Sequence, residues 1–297
     1  MIGQKQLQSR IEKLIESGTF PRFSIFVGPR GSGKKTFVKE IVRFMYSYDL
    51  KEGADYSDIT GIVPPDIKVD TIRRIIDESY KIVSPAMYCI FDADNMSNAA
   101  KNALLKVTEE PPNNAFFVMT LEDENNTLET IRSRGTVFHM DRYTPSEIAE
   151  YYGDNYFNED DACWGSREAI IKELCETPGD VDILSKDVLL FYDYVQLVVD
   201  NIAEVSLANA FKIPSKVALK DTDDGYDLRL FWKAFMKVCM QGIFVKYEDK
   251  FKETDNSIKR IAAVNITSKY LQRLKVKGIN RQMLMDNWVL EIRDLWM

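Results

Sequence analysis

The sequence has no C-x-x-C pair. Its four cysteines, Cys89, Cys163, Cys175 and Cys239, are scattered along 297 residues, which argues for reduced thiols and against a zinc site or a disulfide framework. It has no apolar run near the ~18–20 residues that would cross a bilayer. The N-terminal stretch MIGQKQLQSR lacks the apolar core of a signal peptide. No membrane partner is expected, and a cytoplasmic location is. Positive charge is not in excess: 39 Lys and Arg against 46 Asp and Glu give −7 and a pI near 5.1. Any contact with nucleic acid must then come from a local patch or from an assembly. There is no internal repeat and no low-complexity segment. What remains is the composition of an ordinary soluble globular protein, long enough for two or three domains.

The first ~140 residues alternate strand and helix patterns. QKQLQSRIEKLIES sets Leu7, Ile11, Leu14 and Ile15 on one helical face. FSIFVG is a short apolar strand, followed by a Gly-rich turn and the helix KKTFVKEIVRFMYSY. VDTIRRIIDESYKI reads as an amphipathic helix with Asp70 as its N-cap. AMYCIF is a second buried strand, ended by Asp92, and AFFVMT is a third. Between them NAAKNALLKVTEE is a helix stopped by Pro111-Pro112. This order predicts a doubly wound α/β domain with a mostly parallel sheet. From about residue 143 the patterns turn helical. TPSEIAEYY carries a capping box, Thr144 with Glu147, and Pro145 in its first turn. TPGDVDILSKDVLLFYDYVQLVVDNIAEV is a turn followed by one long helix or a broken pair. The acidic runs 158–162 and 220–227 read as solvated loops.

The stretch GPRGSGKKT, residues 28–36, carries the chemistry. It has G-x-x-x-x-G-K spacing between an apolar strand and a helix, where backbone N–H groups can wrap phosphates at a helix N-terminus. Gly28, Pro29, Arg30, Gly31, Ser32, Gly33, Lys34, Lys35 and Thr36 are the candidate nucleotide-binding residues, with Lys34 neutralising the terminal phosphates. The position after Lys34 ordinarily supplies a hydroxyl to Mg²⁺, but here it is Lys35. Thr36 lies about 100° further around the helix. Asp92, at a strand end, is the candidate partner carboxylate.

NALLKVTEEPP (102–112) followed by LETIRSRG (128–135) resembles the N-A-L-L-K-x-x-E-E-P-P and T-I-x-S-R-C motifs of AAA+ clamp-loader subunits. IGQKQL, PRFSIFVGPRGSGKKT and PPDIKVDTIRRI match further landmarks in order, and INRQMLMDNWVLEIR is similar to the helical collar end. The nearest form of the family is the bacterial DNA polymerase III delta-prime subunit or a viral relative. The resemblance implies an AAA+ P-loop base domain over 1–142, a small helical lid over 143–186 and a helical collar over 187–297. It also implies ATP, with or without Mg²⁺, and no zinc. The implied partners are other clamp-loader subunits, a sliding clamp, and primer–template DNA within a five-membered ring. Arg134 falls on the arginine that reaches a neighbour's ATP site, where a fixed guanidinium stabilises charge on the γ-phosphoryl group. Thr120 falls where the family keeps a polar residue sensing the γ-phosphate.

Four departures bear on catalysis. Lys35 cannot ligate a metal. Either alignment of YCIFDADNM leaves Asp92 without one of the two usual acids. Asp180 and Asp182 stand where hydrolysing relatives carry an arginine, and would repel a γ-phosphate. No cysteine lies between Tyr46 and Pro64, and Gly135 replaces the cysteine after Ser133-Arg134. Weak or absent ATP turnover by this chain is therefore expected, with Arg134 acting in trans. Two other readings stay open: a self-sufficient AAA+ motor such as a helicase or its loader, and a nucleotide-free scaffold. For DNA, Arg73 and Arg74 on one helix are candidates for phosphate contact, as is Lys101, placed outward by periodicity with Ala100, Ala103, Leu104 and Val107 inward.

Overall fold

The computed structural model describes residues 3–47, 60–63, 67–83, 85–156, 164–185, 188–202, 210–212, 216–218, 225–244, 255–274, 276 and 278–296. Cys163, the acidic run 158–162, residues 220–224 and most of the cysteine-free segment after Tyr46 lie outside them. The chain forms two compact units, residues 1–147 with 177–179, and residues 148–176 with 180–297.

The first unit is a parallel sheet between two helical layers. Its strands are β1 (Phe23–Val27), β2 (Thr60–Val63), β3 (Ala86–Ile90), β4 (Ala115–Leu121) and β5 (Thr136–His139), in the order β2-β3-β4-β1-β5. Every pairing is parallel, with Phe26 opposite Thr120 on one side and Phe138 on the other. Parallel strands need both faces covered, and the period-2 alternation divides their side chains accordingly. Phe23, Ile25, Val27, Tyr88, Ile90, Phe117, Met119 and Leu121 face helices α3 (Val69–Ser79), α4 (Asn98–Glu109) and α5 (Glu129–Arg132). Phe26, Met87, Cys89, Val118 and Phe138 face α1 (Lys5–Glu16) and α2 (Lys34–Ser47). Each such side chain contributes about 1.5–3 kcal/mol by burial. Leu7 and Ile11 of α1 are buried, with Leu14 and Ile15 packed against them.

Three strands match the apolar runs read from the sequence; β2 and β5 are additional. The N-cap of α3 is Lys68, with no side-chain capping bond, and Asp70 sits inside the first turn. This corrects the expectation for Asp70: the helix begins two residues earlier, and the carboxylate interacts with the helix dipole and Arg73 at 3.7 Å instead of a capping N–H. The Thr144 capping box is formed: Thr144 N–H donates to Glu147 Oε2 at 2.8 Å and Glu147 N–H to Thr144 Oγ1 at 3.2 Å. It opens α6 (Pro145–Tyr156), which continues into the second unit.

The second unit contains α7 (Trp164–Leu174), α8 (Pro178–Leu184), whose first two residues belong to the first unit, and α9 (Val188–Asn201). The turn-and-helix stretch from Thr177 is thus a broken pair. α10 (Leu228–Phe244), α11 (Asp255–Arg273) and α12 (Arg281–Trp296) complete the unit, with a two-residue parallel pair, β6 (Val217–Ala218) and β7 (Tyr226–Asp227). Its core is aromatic: Phe231, Trp232, Phe235 and Trp288 interlock at centroid distances of 4.9–6.5 Å. Trp288 Nε1–H donates to Thr267 Oγ1 at 3.0 Å, so the buried indole keeps a partner. Among the described residues no helix is long and apolar enough to cross a membrane.

Candidate nucleotide site

β1 runs directly into the loop. The Gly28 N–H extends the ladder to Leu121 O at 3.1 Å, and Ser32 N–H turns back to Pro29 O at 3.2 Å. Gly31 and Gly33 take φ of 81° and 80°, a left-handed conformation that glycine adopts without a Cβ clash. α2 starts at Lys34, so its first-turn N–H groups have no intrahelical acceptor and lie at the loop. The loop is pinned from two other segments of the same unit. Tyr143 Oη donates to Ser32 O at 2.8 Å, and Gly179 N–H donates to Gly31 O at 3.0 Å. A Cβ on Gly31 would meet Thr177 Oγ1 at 2.5 Å. Tyr143 is in turn placed by the N-terminal motif: the side chain of Gln4, fully buried, exchanges two hydrogen bonds with the Asp141 backbone, at 2.9 and 3.0 Å.

Lys34 is buried, and its ammonium donates to Gly28 O at 2.7 Å and Pro29 O at 2.8 Å. Burial lowers its pKa below the usual value, while Glu122, Asp94 and Asp92 oppose that shift. The Ser32 hydroxyl is buried with no hydrogen-bond partner. Pro29, Arg30, Lys35 and Thr36 are exposed along the same turn. These features fit a phosphate: two left-handed glycines, a helix N-terminus, a buried ammonium and an orphaned hydroxyl.

The carboxylate side is different. Asp92 follows β3 in a left-handed conformation, φ 52° and ψ 44°, and is the only non-glycine with positive φ among the described residues. Its N–H donates to the fully buried Thr120 Oγ1 at 2.9 Å, so Thr120, at the end of the neighbouring strand, fixes the Asp92 backbone. The Asp92 carboxylate meets the Lys35 ammonium at 2.5 Å. Asp94 accepts from Glu122 N–H, Asp123 N–H and Asn126 Nδ2 at 2.9–3.4 Å, clamping the turn after β4. A magnesium ion needs a near-octahedral set of oxygens. The Lys35 ammonium sits on one oxygen of the Asp92 carboxylate, and the position after Lys34 supplies that ammonium in place of a hydroxyl, so the two groups this chain would offer the metal do not fit it. Among the described residues no group of three His, Cys, Asp or Glu gathers as a metal site.

Arg134 lies just past the C-terminus of α5, one-third exposed. Its guanidinium is held on two sides, by Thr130 O at 2.6 Å and Glu109 Oε1 at 2.7 Å. Gly135 follows because its Cβ position is filled: a substituent there would meet the Phe23 ring at 2.7 Å, which accounts for the missing cysteine. Arg73 and Arg74 are exposed on the face of α3 opposite Ile72, Ile75 and Ile76. Each pairs along the helix, Arg74 with Glu78 at 2.9 Å.

The outward placement of Lys101 is corrected. Lys101 is buried beside Ala100 and Leu104, and its ammonium donates to the Asn126 carbonyl. The stripe of α4 is wider than the simple period because the turn after β4 folds over its edge, so Lys101 is no longer a candidate for DNA contact. Asp180 and Asp182 are also not free carboxylates. Asp180 is buried, ion-paired with Arg229, and accepts from Glu176 N–H at 3.0 Å. Asp182 accepts from the Tyr151 and Tyr156 hydroxyls, both at 2.9 Å. Both charges are answered inside the second unit. Tyr143, Glu122, Glu109 and the Thr177–Gly179 turn belong to these constellations and were not singled out from sequence. Glu109 alone carried a signal, as the first acid of the E-E-P-P run.

The family described as DNA polymerase III, delta subunit, matches residues 3–144. The replication factor C small subunit of Haloarcula marismortui is 26% identical over 153 residues, half of this chain and 46% of that protein. DNA polymerase III subunit gamma of Buchnera aphidicola is 26% identical over 184 residues, 54% of this chain and 51% of that protein. The chain thus spans about half the length of these curated relatives. A DNA polymerase III gamma subunit-related protein of Thermotoga maritima shares the fold with a TM-score of 0.51 at 15% identity, over 98% of this chain and 99% of that one. Residues 3–144 are thus similar in sequence to the DNA polymerase III delta-subunit family and to replication factor C and DNA polymerase III gamma subunits, and the chain shares the fold of the Thermotoga maritima protein.

Proposed function

We propose that this chain is a clamp-loader subunit of DNA replication. It works within an AAA+ ring that places a sliding clamp on primer–template DNA. It holds a nucleotide in the loop 28–36 with little turnover of its own, and it supplies Arg134 to the ATP site of a neighbouring subunit. One contrast carries this reading. The carboxylate side of its own site is filled by the Lys35–Asp92 ion pair at 2.5 Å, while Arg134 is exposed and held by Glu109 and Thr130 O. A fixed, solvent-facing guanidinium is what arginine-finger chemistry requires, and an Asp92 carboxylate tied to lysine is a poor base or metal ligand. The matched relatives, replication factor C and DNA polymerase III subunits, support the same role.

In this reading residues 143–186 serve as a lid and 187–297 as a collar that joins the ring. Thr120 senses the nucleotide through its bond to Asp92. Arg73 and Arg74 are the residues for DNA phosphates, each able to exchange its intrahelical carboxylate for a phosphate at little cost, since exposed pairs are worth about 0–1 kcal/mol. Affinity purification of the tagged chain from its native source tests the assembly. Recovery of other AAA+ loader subunits in a complex of about five chains is the expected result. A homo-oligomer without such partners would overturn the reading in favour of a self-sufficient motor.

A further inference from the structure

The carboxylate side of the site does more than lack a metal ligand; it contains a cation. Lys35 stands on the first turn of α2, one residue after the buried Lys34, and its Nζ lies 2.5 Å from Asp92 Oδ2. The Phe91 ring centroid is 5.9 Å from the same nitrogen. Asp92 cannot swing away easily, because its backbone is held in the left-handed region by the bond from its N–H to Thr120 Oγ1. Of the other carboxylates near Lys34, Asp94 is committed to the turn 122–126 and Glu122 is exposed. Thr36 projects about 100° away around the helix. Neither a hydroxyl directly after Lys34 nor an unpaired strand-end Asp92 is left to help hold a divalent ion.

The phosphate side is complete, by contrast, and retains an unpartnered buried hydroxyl at Ser32. An ammonium has three donors. One of those of Lys35 goes to Asp92, which leaves two for ligand oxygens at the mouth of the loop. Lys34 and Lys35 together place two positive charges at adjacent positions of one helix N-terminus, where the dipole also favours an anion.

We propose that Lys35 is a built-in cation in this site, taking the place beside Asp92 that a divalent metal takes in other phosphate loops, so that the chain binds a nucleoside di- or triphosphate without magnesium. The proposal rests on the reading of loop 28–36 as a nucleotide site. A covalently attached cation cannot be chelated and cannot leave with the nucleotide, so the affinity should be indifferent to metal.

The test is a titration of the full chain with a fluorescent ADP analogue, in excess EDTA and again in excess magnesium. The expected dissociation constants agree within about twofold, a difference under roughly 0.5 kcal/mol. Lys35→Thr, which restores a hydroxyl, should make binding metal-dependent, tightening about tenfold or more with magnesium. Asp92→Asn, a residue that tolerates the left-handed backbone, should keep metal-independent binding. Its thermal unfolding checks that the site still folds. A tenfold or greater magnesium effect on the unmodified chain would overturn the proposal, and so would the absence of binding in both conditions. That second outcome leaves the role of Arg134 standing, because a neighbour's turnover does not depend on nucleotide in this loop.

Discussion

Replacing Thr120 by valine removes one hydroxyl from the centre of the sheet and keeps the shape. Thr120 is fully buried, and its Oγ1 accepts the Asp92 N–H at 2.9 Å. Valine leaves that donor without its partner, at the end of a strand and in a backbone conformation that a non-glycine residue enters at a cost of roughly 1–2 kcal/mol. A buried donor left unsatisfied costs about 1–3 kcal/mol. Asp92 is partly exposed, so water recovers some of this, and about 1–2 kcal/mol of destabilisation is expected. Thr120→Ser keeps the acceptor and loses a methyl group, at about 0.8 kcal/mol, which separates the hydrogen bond from packing. The assay is hydrogen exchange resolved to the Asp92 amide by mass spectrometry, together with urea unfolding of the first unit. Thr120→Val should speed exchange of that amide about tenfold, corresponding to ~1.4 kcal/mol, while Thr120→Ser leaves it slow. Unchanged exchange in Thr120→Val, with stability within about 0.5 kcal/mol of the parent, would refute the idea that Thr120 holds the strand-end carboxylate in place.

Two further outcomes follow from the second unit and the buried thiols. Asp180→Ala should destabilise the second unit by about 3 kcal/mol, the low end of the range for breaking a buried ion pair. Arg229 keeps 27% of its side chain exposed, and Asp227 lies 3.9 Å away to take up part of the charge; denaturant titration followed by tryptophan fluorescence measures it. Burial pushes the Cys89 and Cys239 thiols up to about 12, and raises that of Cys175 as well. The nucleophile is the thiolate, so these three residues should label with an alkylating reagent only after unfolding, as read by mass spectrometry of peptides.

Much of the first unit was legible because its strands are buried on both faces. FSIFV, AMYCI and AFFVMTL are near-continuous apolar runs, which parallel strands produce and loops do not. β5 was hidden because TVFH is four residues long and half-buried at the sheet edge, where the demand for apolar residues is weaker. The loop 28–36 and the Ser133-Arg134 pair announced themselves through glycine spacing and motif. What could not be read was which charges answer which. That Lys35 reaches Asp92 depends on the ends of β1 and β3 lying on either side of β4, which carries Thr120. That Asp180 meets Arg229 depends on contacts 49 residues apart in sequence. The case of Lys101 shows the limit of helical periodicity: a wheel places its Cα near the edge of the stripe, and only the turn folded over α4 decides that its ammonium ends inside.

The most direct measurement of the central claim is ATP turnover in the assembled complex, arranged so that, among the other subunits, only the one next to Arg134 has an intact phosphate-loop lysine. Arg134→Ala in this chain should lower that turnover by about 10³-fold or more, the scale of an arginine finger, while Lys34→Ala leaves it within a few-fold. Turnover that survives Arg134→Ala, or robust hydrolysis by this chain alone that disappears in Lys34→Ala, would contradict the account.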